Sequence, residues 1–101
     1  MPKKKSFNVA VIGAGGIGHD HIRSFQAHPA ANVIALAELS PERGREAADA
    51  YDIPTLETDY KKLLARDDID VVSIALPNFL HAQVAIEALR ADKNVMLDKP
   101  I

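Results

Sequence analysis

The stretch from Phe7 to Gly18 constrains this chain more than any other. Phe7 to Ile12 is short, apolar and β-branched, and it stops at Gly13, which reads as a buried strand. The period then changes. Gly18, Ile22 and Phe25 stand at i, i+4 and i+7, one face of a helix from Gly16 to Ala27. His28-Pro29 closes that helix, because the residue before a proline is pushed out of the helical region. A strand that turns through glycines straight into a helix opens a β-α-β unit, and such units build parallel sheets.

The rest of the chain keeps the alternation. Asn32 to Ala37 is a second apolar strand, closed by Glu38. Ser40 as cap and Pro41 as first helical residue start a helix running to about Tyr51, with Ala47, Ala48 and Tyr51 facing inward. A brief strand follows within Ile53 to Leu56. Thr58 is then expected to cap a helix holding Tyr60, Leu63 and Leu64. Val71 to Leu76 is the next strong strand. Pro77-Asn78 stops it, with Asn78 as a cap, and Ala82, Ala85, Ile86 and Leu89 form the apolar face of the helix after it. A turn over 91–94 leads to a last strand, Val95 to Leu97. The pattern predicts an α/β fold, a doubly wound parallel sheet of about five strands in the order 3-2-1-4-5 with right-handed crossovers. A complete sheet of this kind has a sixth strand, which is expected to be absent from this chain.

Composition narrows the function. At 101 residues there is room for one domain. The net charge of −2 gives no general pull on nucleic acid or an anionic membrane. With no cysteine, disulfides and thiolate metal sites are excluded. No apolar run approaches the length of a membrane span. Lys3 to Lys5 before the first strand read as a solvated basic tip, not as an export leader, so the expected compartment is cytoplasmic.

Gly13, Gly15 and Gly18 match G-x-G-x-x-G, and Glu38 lies 20 residues beyond the last of them. After a strand and at the start of a helix, that set points to dinucleotide binding. Gly13 permits the tight turn, Gly15 lets a pyrophosphate approach the backbone, and Gly18 lets the helix pack on the strand. The N–H groups around Gly16 and Ile17, with the positive helix end, would face the pyrophosphate. The glycines alone would also serve a plain strand-to-helix turn. Glu38 can accept the adenosine ribose hydroxyls and would repel a 2′-phosphate, which favours NAD over NADP. Arg43 leaves that choice open, since it can stack on adenine or reach a 2′-phosphate. His19-Asp20-His21 resembles a metal cluster, but i and i+2 on a helix point to different faces, so no metal is expected. Pro77, Asn78 and His81 lie at the carboxyl end of a strand, where ligands bind in open α/β sheets. Asp98-Lys99-Pro100 follows the last strand at the same edge.

Together these residues resemble the cofactor domain of the Gfo/Idh/MocA oxidoreductases. The resemblance rests on Val9 to Gly18 with His21, on Glu38 and Arg43, on Pro77-Asn78 with His81, and on Asp98-Lys99-Pro100, where Asp replaces the family's Glu. It implies a Rossmann-type domain that binds NAD(P). It also implies a catalytic Lys99, which helps orient nicotinamide and substrate, and a sugar, cyclitol or related hydroxyl substrate. The family's second domain, which supplies most of the substrate pocket, is expected to be missing from residues 1–101. On that reading the isolated chain binds cofactor without turnover and pairs as a homodimer through surfaces left uncovered. Two other readings stand beside it: a non-catalytic, self-associating half-fold, and a different dinucleotide-dependent reductase.

Overall fold

In the computed structural model, which describes residues 6–76 and 78–97, strands and helices alternate along the chain. The order is β1 (Phe7–Ile12), α1 (Gly16–Gln26), β2 (Ala31–Ala37), α2 (Pro41–Ala50), β3 (Thr55–Glu57), α3 (Tyr60–Leu64), β4 (Val71–Ile74), α4 (Asn78–Arg90) and β5 (Asn94–Leu97). The strands form one sheet in the order β3-β2-β1-β4-β5, and each pairing is parallel. The expected architecture is therefore the observed one.

Each face of the sheet carries its own apolar layer. Ala10, Ile12, Ala35, Ala37, Val72 and Ile74 pack with Leu63 and Leu64 of α3 and with Val84 and Ala88 of α4. On the other face, Val9, Val11, Val33 and Leu36 pack with Ile22 of α1 and with Ala47 and Ala48 of α2. Alternating side chains along β1 feed both layers, as a central strand requires. The β1–β2 register slips once. Val9 pairs with Val33 but Ala10 pairs with Ala35, leaving Ile34 as an extra residue. Ile34 and Ala35 consequently both lie on the α3–α4 side.

Several local expectations are corrected. The cap of α3 is Asp59, not Thr58: its carboxylate accepts the Lys61 N–H at 2.9 Å, a stronger acceptor than a hydroxyl. Asn78 is the first residue of α4 and not its cap. β4 ends at Ile74, two residues short of Leu76, and β3 begins at Thr55 and runs through Glu57. α1 and α2 end at Gln26 and Ala50, with Ala27 and Tyr51 as their C-caps. The largest correction is the face of α4. Val84 and Ala88 are buried, whereas Ile86 and Leu89 are 48% and 59% exposed. This helix is apolar on nearly every side, so its pattern does not select a face. Packing turns the smaller pair toward the sheet. The Ser40 cap is as expected, its hydroxyl accepting the Arg43 N–H.

Candidate functional site

The turn after β1 is built by its glycines. Gly13 has φ +105°, a region that side chains rarely enter, and a Cβ there would lie 2.4 Å from the Ala75 carbonyl oxygen. A Cβ at Gly18 would lie 2.1 Å from the Gly13 carbonyl oxygen, so the close approach of α1 to the turn depends on its absence. At Gly15 and Gly16 an added Cβ would meet nothing within 4 Å. These two glycines therefore border open space at the start of α1. The first intrahelical bond runs from the His19 N–H to the Gly15 carbonyl, and the N–H groups before it are those a helix start leaves to other partners.

Glu38 meets this turn from the end of β2. One carboxylate oxygen accepts the Ala14 N–H at 2.8 Å and the other accepts the Ser40 N–H at 2.9 Å. The acid thus ties the glycine turn to the start of α2. Each oxygen keeps a further lone pair for a hydroxyl donor. Gly44 allows this placement, because a Cβ on it would press on Leu56 at 2.8 Å and on the Glu38 Cβ at 3.3 Å.

Beyond Glu38 opens a mainly apolar cleft of about 180 Å³, at the carboxyl end of β1, β2 and β4. Leu39, Tyr60, Leu76, Leu80 and Gln83 line it together with Gly13 and Glu38. Leu39 is 79% exposed at its mouth. The Tyr60 hydroxyl donates to the Glu87 carboxylate on α4. Burial first, and then that bond, push its pKa up to about 12. Sequence reasoning singled out none of Leu39, Gly44, Tyr60 and Gln83 as site residues. Only Gly44 carried a local signal, since an isolated glycine within a helical pattern marks close packing.

The remaining candidates fall in different places. Gly13 and Glu38 come together at the cleft, while the exposed Arg43 is not among its lining residues. His19 and His21 diverge: His19 Nδ1 meets the Tyr51 hydroxyl at 2.9 Å, and His21 Nδ1 meets the buried Ser73 Oγ at 2.6 Å. Among the described residues no group of His, Asp and Glu is arranged to hold a metal ion, and no helix is long and apolar enough to cross a membrane. Pro77 and Lys99 lie outside the described residues, as do the side chains of Ile17, Asn78 and His81.

Residues 7–101 match the family model described as the oxidoreductase family with an NAD-binding Rossmann fold, GFO_IDH_MocA. The chain belongs to this family. Levoglucosan dehydrogenase of Pseudarthrobacter phenanthrenivorans is 34% identical over 105 residues, covering 96% of this chain and 27% of that protein. Inositol 2-dehydrogenase of Salmonella typhimurium is 34% identical over 98 residues, covering 95% of this chain and 29% of the dehydrogenase. A structure of levoglucosan dehydrogenase with NADH superposes with a TM-score of 0.87 at 34% identity, over 94% of this chain and 28% of that one. A 3-ketoreductase from Actinomadura kijaniata, in complex with NADP and TDP-benzene, gives 0.86 at 34% identity, over 94% and 29% of the two chains. This member of the oxidoreductase family therefore spans less than a third of the length of these relatives. Its likeness extends to NADH and NADP complexes alike.

Proposed function

We propose that this chain is the cofactor-binding part of an NAD(P)-dependent oxidoreductase acting on a sugar, cyclitol or related hydroxyl substrate. The observation that carries the reading is the meeting of an open glycine turn with a carboxylate. Gly15 and Gly16 leave a cradle that any side chain would fill, and Glu38 stands beside it, bonded to Ala14. A pyrophosphate fits the cradle, where N–H groups and the helix dipole favour negative charge. Ribose hydroxyls fit the spare lone pairs of Glu38, and the apolar cleft lined by Leu39, Leu76 and Leu80 suits the adenine. Gly13, Gly15, Gly16, Ile17, Gly18 and Glu38 form the binding set. Arg43, Pro77, Asn78 and His81 complete it by family resemblance.

When bound, the nicotinamide accepts or gives the hydride at its C4, and the protein supplies position and electrostatics. Lys99 is proposed to orient the substrate hydroxyl beside that ring. Glu38 favours NAD: a 2′-phosphate about 4 Å from its charge costs up to about 4 kcal/mol at an effective dielectric of 20. The 101-residue chain is expected to bind cofactor without turnover, because the family resemblance assigns most of the substrate pocket to a second domain. Calorimetry on Gly15→Val tests the reading. A Cβ at this position meets no protein atom within 4 Å, so the fold should be kept, while NAD affinity falls more than about tenfold. Unchanged affinity in the folded variant refutes the site.

A second reading is a non-catalytic, self-associating module, favoured by the exposure of Ile86 and Leu89 on α4. Turnover assays across a panel of sugars and cyclitols, on this chain joined to the remaining length of levoglucosan dehydrogenase, separate the two.

A further inference from the structure

The two edges of the sheet are not alike. β3 is three residues long, follows Pro54 and ends at Glu57, whose carboxylate is paired with Lys62. Short length, proline and charge are what keep an edge from pairing. β5 runs Asn94-Val95-Met96-Leu97 without charge or proline, and among the described residues it pairs with β4 alone. An apolar helix flank stands beside this same edge. Val84 and Ala88 turn α4 to the sheet, and Glu87 turns toward α3, where Tyr60 bonds it. A helix advances about 100° per residue, so Ala82, Ala85 and Leu89 fall on the flank away from α3, with Ile86 above them. Ala82, Ile86 and Leu89 are exposed, so among the described residues nothing covers this flank. A helix apolar on nearly every side is one built to be covered on nearly every side.

We propose that a second copy of this chain docks here about a twofold axis normal to the sheet, joining two five-stranded sheets edge to edge through β5. The inference goes beyond the cofactor reading and does not rest on it. Such an axis sets β5 antiparallel to its copy, and sets α4 antiparallel to its copy on the same face of the joined sheet. The spacings agree. Strands lie about 4.8 Å apart and α4 crosses over β4 and β5, so the two α4 axes come to about 10 Å from each other, the distance of packed helices. The order of residues along the flank singles out a second copy as the occupant. Ala82, Ala85, Ile86 and Leu89 run small, small, large, large. Reversed about the midpoint between Ala85 and Ile86, Leu89 meets the partner's Ala82 and Ile86 meets the partner's Ala85, each large side chain against a small one. The flank carries no charge, so no like charges meet. The axis also reverses the strands, so the two glycine turns lie at opposite ends of the joined sheet and both stay open. The contact is smaller than the roughly 800 Å² per partner of a standard interface, so association at tens of micromolar is expected.

The test uses the full 101-residue chain, which has no cysteine of its own. Sedimentation equilibrium from about 5 to about 500 μM should show monomer passing into dimer. Oxidative crosslinking then reads the register. Ala82→Cys mixed with Leu89→Cys should form an intermolecular disulfide about tenfold faster than either variant alone. The facing positions lie within disulfide reach, whereas each residue stands about 10 Å along the helix from its own counterpart. Both substitutions fall on exposed positions, and circular dichroism confirms the fold of each variant. A monomer at every concentration overturns the pairing and leaves the flank to a segment of a longer chain. A dimer in which the mixture crosslinks no faster than the single variants overturns it too, by placing the contact elsewhere. A dimer with the expected crosslinking supports the pairing even where calorimetry finds no NAD binding, so the two proposals fail separately.

Discussion

Adding a single methyl at Gly18 should force the first helix away from the turn it packs on. The Cβ of an alanine there would sit 2.1 Å from the Gly13 carbonyl oxygen and 2.9 Å from its carbon. Roughly 1 Å of movement is needed to reach a tolerable contact, and the obstructing atoms are backbone, which does not rotate away. α1 is not free to move that far, because Ile22 is wholly buried beneath it and His21 is tied to Ser73. Overpacking of this kind costs about 1–3 kcal/mol and sometimes more, while the gain in helix propensity from Gly to Ala is at most about 1 kcal/mol. Because the obstacle is rigid, a net loss of about 2–3 kcal/mol is expected. That is a large share of the roughly 5–15 kcal/mol available to a chain of this size. With a urea slope of about 1.5–2 kcal/mol per molar, the unfolding midpoint should fall by more than about 1 M, followed by far-ultraviolet circular dichroism. Gly16→Ala is the control. Its Cβ meets nothing within 4 Å, so its midpoint should stay near that of the unmodified chain. Equal midpoints for the two variants would refute the contact geometry of the turn.

Glu38→Ala should cost about 1–2 kcal/mol of stability by releasing the Ala14 and Ser40 N–H groups, and should bring an NAD:NADP preference of about tenfold close to one. A preference that persists in calorimetry would place Glu38 away from the ribose 2′ position. Tyr60 ionises at about 12 in the fold and near 10 in an unfolded chain, so its contribution to stability is full below pH 10 and is lost as the pH rises toward 12. Denaturant titrations across that window should flatten in Tyr60→Phe, and an identical pH dependence would exclude this coupling. Replacing Ile86 with Lys and Leu89 with Glu should abolish any self-association seen by sedimentation while changing stability by less than about 0.5 kcal/mol per site. Association that persists would move the contact off α4.

The fold was legible wherever one local pattern admitted one solution. The strand from Phe7 to Ile12, the glycines after it and the Ser40-Pro41 helix start each combine period and turn chemistry in a few residues, and each is found where expected. α4 was different. Ala82, Ala85, Ile86 and Leu89 make as good an apolar stripe as Val84 with Ala88, and only the approach to the sheet selects between them. Thr58 and Asp59 offered two adjacent caps, and the charged one prevailed. The site divided along the same line. Gly13, Gly15, Gly18 and Glu38 form a motif of fixed spacing. The cleft wall joins Tyr60 to Glu87 across 27 residues of chain, a contact that no local pattern encodes.

The extra residue at Ile34 is absorbed without changing the parity of β2 beyond it. Strand side chains alternate, so a chosen residue reaches a chosen side of the sheet for only half of all possible strand lengths. Past the slip, Leu36 joins the α1–α2 layer, and Glu38 emerges on that same side against Gly44. Deleting Ile34 would restore continuous pairing and leave the carboxylate in place. The strand's entry can thus vary in length without disturbing its exit, and the two hydrogen bonds of one acidic side chain are insulated from changes at the far end of the sheet.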